Sequence, residues 1–269
     1  MNRLKLTHNM SALIAGLFFT ITIFSCKSYP AAFEVAKFIN QNENDVTYIE
    51  GDSFFVVMPE GAIPDNDGIS AGAGISAGVA TSEAGTDIPG IIFYPGGLVE
   101  YQAYLPLMEK LARKGAFCVL VKMPFDFAFF DFRAAGRFMK LYPQIDKWYM
   151  AGHSLGGAMA ASYLSRHEED FEGLILLAAY STHDISGAGV KVLSIYGSKD
   201  GVLNKTHYQK YHKNLPALGE GLTEIIIDGG NHAQFATYGA QKGDYMPEIT
   251  PDEQQKKTAE EIAEWMGLK

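Results

Sequence analysis

The feature that most constrains the fold is a regular alternation of short apolar runs with longer amphipathic stretches between residues 90 and 266. The runs have the length of buried strands, and the stretches have the length of helices. This alternation predicts an α/β protein with a mostly parallel central sheet and helices on both faces. The predicted strands are 90–94, 116–122, 148–151, 174–179, 191–196 and 223–227, and the predicted helices are 101–114, 125–141, 154–167, 204–214 and 251–266.

Two segments precede this alternation. Residues 46–58 read as two short strands around the turn dipeptide Gly51-Asp52, which favours a hairpin. Residues 65–87 are almost entirely Gly, Ala, Ser and Asp, a composition with too little bulk to bury, and they are predicted to form a flexible surface loop. We therefore expect a single domain at 29–269.

Composition restricts the function classes. With 269 residues, 47% of them hydrophobic and 20% charged, the chain can bury a large core. Its 22 Lys and Arg residues against 31 Asp and Glu residues give a net charge of −9, which argues against a nucleic-acid partner. The two cysteines, Cys26 and Cys118, have no metal-binding spacing, so neither a metal nor another cofactor is expected.

The N-terminus has the pattern of an export signal. Arg3 and Lys5 precede an apolar run at 11–24, and that run is shorter than the roughly 20 residues of a spanning helix. Residues 1–25 are therefore predicted to be a signal peptide. Residues 23–26 resemble a bacterial lipoprotein signal, and the resemblance implies a lipidated Cys26, export, and a membrane anchor on the periplasmic or cell-surface side. A plain signal peptide or an uncleaved anchor is the alternative.

A nucleophile motif follows the third predicted strand. Gly152-His153-Ser154-Leu155-Gly156 fits the pattern G-x-S-x-G, with a strand before it and a helix after it. Such a serine must lie on a tight turn that presents its hydroxyl at the helix N-terminus, and glycines leave room for that turn. The alternative is an ordinary glycine-rich turn with an N-capping serine.

A serine hydroxyl needs a base, and the base needs a carboxylate to orient it. Asp200 follows the strand at 191–196 and His232 follows the strand at 223–227, so both lie where parallel strands end. Asp228 and Asp184 are alternative acids. The order Ser, Asp, His is the one expected for a hydrolase sheet of this type.

Three segments, GHSLGG at 152–157, YGSKD at 196–200 and GGNH at 229–232, together resemble the α/β-hydrolase superfamily, and the similarity extends from about residue 90 to residue 267. The resemblance implies that Ser154 is the nucleophile, His232 the general base and then acid, and Asp200 the orienting carboxylate.

The segment FYPGG at 93–97 is similar to the oxyanion loop of the same superfamily, although Pro95 stands where a histidine is common. The resemblance implies that the backbone N–H of Leu155, together with that of Gly97 or Leu98, holds the oxyanion. Each such donor typically lowers the barrier by ~3 kcal/mol.

The resemblance also bears on substrate. Only ten residues separate Tyr180 from the strand that starts at Lys191, too few for a helical cap. The chain is in this respect similar to uncapped esterases and to the dienelactone-hydrolase-like group, which typically carries Cys at the position of Ser154. The expected partner is a small-molecule ester with a small or protruding acyl group. A peptidase, thioesterase or lipase with the same triad is an alternative, as is a non-catalytic surface binding protein that retains the fold.

Overall fold

The computed structural model describes residues 28–32, 45–62 and 87–268. The predicted signal peptide at 1–25, Cys26 and nearly all of the predicted loop at 65–87 lie outside these residues, and the predicted domain limits stay predictions. Within the described ranges, no helix combines the length and the apolar character that crossing a bilayer requires.

The strands form one sheet, and five helices pack against it in the described part of the chain. The strands are β1 Val46–Gly51, β2 Phe54–Pro59, β3 Gly90–Tyr94, β4 Phe117–Val121, β5 Trp148–His153, β6 Gly173–Leu177, β7 Lys191–Gly197 and β8 Leu222–Ile227. The helices are α1 Leu105–Arg113, α2 Ala135–Leu141, α3 Leu155–Leu164, α4 Lys205–Tyr211 and α5 Pro251–Met266.

The sheet is mostly parallel, as predicted. Its strand order is β1-β2-β4-β3-β5-β6-β7-β8. The predicted hairpin is present as the antiparallel pair of β1 and β2, and β2 also pairs antiparallel with β4. From β4 to β8 every pair is parallel, so the carboxyl ends of these strands meet at one edge of the sheet.

The core lies on both faces of the sheet because strand side chains alternate between them. In β3, Ile92 and Tyr94 belong to the cluster that packs under α2 and α3, whereas Ile91 and Phe93 belong to the cluster under α1 and α5. Helices therefore cover both faces, as the alternation predicts.

Local sequence signals fix the ends of the closing helix α5. Thr250 and Glu253 form a reciprocal capping box, and Pro251 occupies the first turn, where its missing N–H is not needed. The helix ends at Gly267, whose φ of 76° suits a residue without a Cβ.

One predicted helix is wrong over half of its length. In place of a continuous helix at 125–141, short 3₁₀ turns lead to α2, which begins only at Ala135. Phe125 and Asp126 both have a φ of 55°, which a helix does not accommodate. The Asp126 carbonyl instead accepts a hydrogen bond from the Leu98 amide at 2.8 Å, so a tertiary contact replaces the local one.

Candidate active site

The candidate nucleophile lies on a strained turn between β5 and α3. Ser154 has φ 52° and ψ −122°, which is uncommon for any residue other than glycine. The turn is possible because its glycines allow close contact. A Cβ on Gly156 would lie 2.2 Å from the carbonyl oxygens of Tyr94 and Pro95, and one on Gly152 would lie 2.6 Å from the Gly156 backbone.

The Ser154 side chain does not cap the helix that follows it. It makes no capping hydrogen bond to the N-terminus of α3, and it is partly exposed. Its backbone N–H is held by the Leu177 carbonyl at 2.9 Å. The turn therefore fixes the backbone of Ser154 and leaves its hydroxyl available, in contrast to an ordinary N-capping serine.

The structure brings Asp200 and His232 together at the carboxyl ends of β7 and β8. His232 Nδ1 lies 2.9 Å from Asp200 Oδ2, and the side chains of the two residues are 2% and 0% exposed. The other carboxylate oxygen, Oδ1, accepts the backbone N–H groups of Val202 at 2.9 Å and Leu203 at 2.7 Å. Asp200 is thus held as a hydrogen-bonded carboxylate that orients the imidazole.

Neither alternative acid takes this position. Asp228 accepts a hydrogen bond from Ser198 Oγ at 3.1 Å, and Asp184 is occupied by its neighbour Ser186 on the surface. Of the three carboxylates, Asp200 is the one paired with His232.

The second ring nitrogen of His232 has an unusual environment. Because Nδ1 faces a carboxylate, we assign the proton to Nδ1 and the lone pair to Nε2. Nε2 is buried and has no hydrogen-bond partner among the described residues, Ser154 included. A buried polar atom without a partner requires an explanation, and a proton acceptor awaiting its donor is one.

Two backbone amides are available for an oxyanion, and a third is not. The N–H groups of Leu155, at the start of α3, and of Gly97 donate to no other described residue. A Cβ on Gly97 would lie 3.0 Å from Leu155 Cδ2, so the two segments are in contact. The expectation for Leu98 is corrected, because its N–H donates to the Asp126 carbonyl.

Sequence reasoning missed a link between the nucleophile turn and this loop. His153, directly before Ser154, is buried, and its Nδ1 lies 2.7 Å from the hydroxyl of Tyr104. The same hydroxyl accepts the Gly96 N–H at 2.9 Å. A tyrosine has one hydroxyl proton, so the Tyr104 hydroxyl donates its hydrogen bond to His153 Nδ1 while its oxygen accepts the Gly96 N–H.

His153 also packs against the candidate base, with 4.6 Å between the ring centroids of His153 and His232. Burial, followed by repulsion from the His232 imidazole, lowers the pKa of His153 well below its usual value, and the His232 carbonyl opposes this shift. His153 is therefore neutral at neutral pH and adds no charge beside the candidate base.

Two further residues missed by sequence reasoning hold the His232 loop. Asp244 accepts the Gly201 N–H through Oδ1 at 3.0 Å and the Ala233 N–H through Oδ2 at 2.9 Å, joining the loops that follow β7 and β8. Gln254 of α5 accepts the Asn231 N–H at 2.9 Å and donates to the Asn231 carbonyl at 2.8 Å. Both are distant in sequence from the motifs, so only the fold identifies them.

The described residues contain no group of three or more His, Cys, Asp or Glu side chains placed to hold a metal ion. Cys118 is buried in β4, and burial raises the pKa of its thiol. A buried neutral thiol of this kind packs as a small apolar side chain.

Comparisons with known proteins agree with the fold. The model of a family described as "Alpha/beta hydrolase family" matches residues 90–257, more than half of the chain. No curated protein matches the sequence. A similar solved structure is MGS-MChE2, an alpha/beta hydrolase enzyme from the metagenome of sediments from the lagoon of Mar Chica, Morocco, with a TM-score of 0.54, 13% identity, and coverage of 82% of this chain and 98% of that chain.

Two more solved structures have similar folds. Est1E from Butyrivibrio proteoclasticus has a TM-score of 0.52 at 15% identity and covers 83% of this chain and 98% of its own. A monoacylglycerol lipase from Paleococcus ferrophilus has a TM-score of 0.51 at 12% identity and covers 68% of this chain and 96% of its own. These solved structures show the fold alone. The family model covers residues 90–257, a range that includes Ser154, Asp200, His232 and the loop at 96–97. The chain is a member of the alpha/beta hydrolase family.

Proposed function

We propose that this protein is a serine hydrolase that cleaves carboxylic esters with Ser154 as nucleophile, His232 as general base and acid, and Asp200 as the orienting carboxylate. One observation carries the proposal. Ser154 lies on a strained turn with its hydroxyl uncommitted, and the adjacent His153 is in ring contact with His232. His232 presents Nδ1 to Asp200, and its Nε2 has no partner among the described residues.

In the first half-reaction, Ser154 Oγ attacks the ester carbonyl and its proton passes to His232 Nε2. The carbonyl oxygen becomes an oxyanion and accepts the N–H groups of Leu155 and Gly97. Asp200 stabilises the imidazolium through Nδ1–H. The C–O bond to the leaving group then breaks, and His232 gives its proton to the departing alcohol, leaving an acyl group on Ser154.

In the second half-reaction, a water molecule takes the place of the alcohol. His232 Nε2 accepts a proton from the water while its oxygen attacks the acyl carbon, and the oxyanion forms again at the same two amides. Collapse of this intermediate breaks the bond to Ser154 Oγ, His232 returns the proton to the serine, and the carboxylic acid leaves.

An ester with a small or protruding acyl group is the proposed substrate class. The segment 178–190, between β6 and β7, contains no helix, so no helical cap follows β6. A monoacylglycerol lipase has a similar fold, which supports the proposal that this fold can house an ester-hydrolysing site. A helical cap would enclose the acyl chain, and its lack at this position favours an acyl group reached from outside.

The proposal is tested with a fluorophosphonate probe and a p-nitrophenyl acetate assay. Wild-type protein is expected to be labelled and to turn over the ester, whereas Ser154→Ala loses both. Asp200→Asn is expected to lower kcat by roughly 10³- to 10⁴-fold, because the imidazole loses its orientation. Asp228→Asn is the matched control, since Asp228 also follows a strand but binds Ser198, and it should retain activity.

Absence of labelling in well-folded wild-type protein would refute the hydrolase proposal and favour a binding protein that retains the fold. Equal losses in Asp200→Asn and Asp228→Asn would refute the assigned carboxylate. Turnover of a thioester or peptide in preference to the ester would refute the proposed substrate class and would not affect the assignment of the triad.

We also propose that the protein is exported and carries lipid on Cys26. The sequence around Cys26 supports this, together with the length of the apolar run before it. Metabolic labelling with an alkyne fatty acid is expected to mark the wild type and Cys118→Ala, and to fail in Cys26→Ala. Label retained in Cys26→Ala would contradict the proposal.

A further inference from the structure

Three phenylalanines are exposed in the loop that leads from β4 to α2. Phe125 is 82% exposed, Phe130 60% and Phe129 44%. Their rings are in contact, with centroid distances of 5.7 Å between Phe125 and Phe130 and 5.9 Å between Phe129 and Phe130. We call these three residues the aromatic patch. A contiguous exposed apolar group of this kind marks an interaction surface.

The backbone holds the patch outward. Phe125 and Asp126 both adopt a positive φ of 55°, and the Asp126 carbonyl is tied to the Leu98 amide at 2.8 Å. Phe127, half-buried beneath the patch, lies edge-on to Phe130 with 6.2 Å between the centroids. The exposure of the rings is therefore built into an ordered loop.

The chain enters the domain beside this patch. Ser28 Oγ donates to Asp126 Oδ2 at 3.0 Å, and the Tyr29 N–H donates to the Leu98 carbonyl at 2.6 Å. Cys26 precedes Ser28 by two residues, a span of at most about 7 Å. The apolar run at 11–24, or acyl chains on Cys26, therefore joins the domain next to the patch.

The patch also borders the candidate site. The Phe127 ring lies 3.6 Å from the position of a Cβ on Gly97, which in turn contacts Leu155. Gly97 and Leu155 are the residues whose N–H groups are available for an oxyanion. A flat partner that covered the patch would consequently lie across the side of the site formed by the Gly97 loop.

We propose that the aromatic patch inserts into the surface of a lipid bilayer, so that the site opens toward the membrane and takes acyl esters embedded in it. Because Ser28 and Tyr29 bond beside the patch, the apolar run or the acyl chains that precede them are within reach of it, and this favours a bilayer as the partner. With a net charge of −9 and three uncharged rings, insertion depends on apolar contact and is expected to be insensitive to salt. The substrate part rests on the proposed function, whereas insertion does not.

Insertion is tested by fluorescence quenching on the full chain reconstituted in phosphatidylcholine vesicles. Phe125→Trp places a reporter in the patch. Leu218→Trp is the matched control, because Leu218 is 65% exposed and precedes β8, whereas the patch follows β4. Since these strands are parallel, the control lies at their amino ends and the patch at their carboxyl ends. The signals of Trp148 and Trp265 are subtracted with the wild type.

Brominated lipid is expected to quench the added fluorescence of Phe125→Trp at least twofold, to the same degree in low and high salt, and to leave that of Leu218→Trp unchanged. Equal quenching in both variants would overturn the proposal. So would no quenching in Phe125→Trp, the result expected if another part of the chain or a second copy covers the patch.

The substrate part is tested by comparing a long-chain ester in vesicles with water-soluble p-nitrophenyl acetate. The double variant Phe125→Ser/Phe130→Ser is expected to lose about tenfold on the vesicle ester, since two apolar rings no longer enter the lipid, and nothing on the soluble ester. Leu218→Ser should match the wild type on both.

Equal losses on the two esters would assign the patch to the site or to stability and overturn the inference. A wild type that cleaves neither ester would refute the proposed function, and the quenching result would still decide whether the patch enters lipid.

Discussion

The two histidines of the site differ in what their Nδ1 atoms contact, since Nε2 of each has no partner among the described residues. His232 presents Nδ1 to a carboxylate and has an unpartnered Nε2, the arrangement of a base. His153 accepts a hydrogen bond from the Tyr104 hydroxyl at Nδ1 and is kept neutral by burial. Two identical side chains in contact thus have separate tasks because Asp200 faces one and a phenol faces the other.

At this scale the Tyr104 hydroxyl is the sharpest test. Tyr104→Phe removes the acceptor of the Gly96 N–H and the donor to His153, both buried. We expect kcat for p-nitrophenyl acetate to fall about tenfold with KM little changed, because the loop that carries the Gly97 N–H loses its support. Steady-state kinetics and the melting temperature are measured together.

Tyr142→Phe is the matched control, since the Tyr142 hydroxyl is equally buried and has no hydrogen-bond partner among the described residues. It should leave kcat unchanged and stability unchanged or higher. A Tyr104→Phe variant with wild-type kcat, or with a loss in KM alone, would contradict the positioning role.

At the scale of elements, the site depends on the closing helix α5 as much as on the sheet. Gln254 makes two hydrogen bonds to the backbone of Asn231, the residue before His232, and is fully buried. The capping box at Thr250 sets where this helix begins and hence which residue faces the loop. A helix far from the nucleophile motif in sequence thus positions the candidate base His232.

Gln254→Met is expected to reduce the free energy of unfolding by about 2–4 kcal/mol, because both backbone groups of Asn231 lose their partners in a dry environment. Urea denaturation measures the loss. The neighbouring Gln255→Met should cost less, since the Gln255 amide donates at 3.1 and 3.3 Å and its bonds include one to a side-chain hydroxyl. An equal or larger loss in Gln255→Met would contradict this assignment.

For the whole molecule, the buried neutral His153 predicts how stability depends on pH. Its folded pKa lies well below the ordinary value of about 6.5, so the unfolded chain takes up the proton first as the pH falls. Stability therefore has its full value above about pH 6.5 and falls as the pH decreases below it, because the unfolded chain then binds a proton that folded His153 does not.

His153→Asn removes the titrating group and retains an acceptor for the Tyr104 hydroxyl. The difference in unfolding free energy between pH 7.5 and pH 5, measured in urea, should be smaller than in the wild type. The lowered pKa of His183 acts in the same direction in both proteins and cancels in the comparison. Equal pH dependence in the two proteins would refute the prediction.

The architecture could be predicted from sequence because the apolar runs of β3 to β6 are buried along their whole length and read as strands. Asp200 and His232 could be located because parallel strands end at one edge. The non-helical conformation of the loop at 122–134 could not be predicted, since it depends on a hydrogen bond from the Leu98 amide to the Asp126 carbonyl. Tyr104, 49 residues before His153, has no local signal at all.

The strand order has a consequence for how the protein acquires activity. The candidate site draws on β3, β5, β7 and β8, and each parallel pairing among neighbouring strands closes a long stretch of chain. Pairings of this kind form slowly. His232 follows the edge strand β8, and α5 then fastens its loop, so the candidate base comes from a later part of the chain than the candidate nucleophile. A nascent chain therefore has the Ser154 turn before His232 is in place, and the candidate site stays incomplete until α5 has been synthesised.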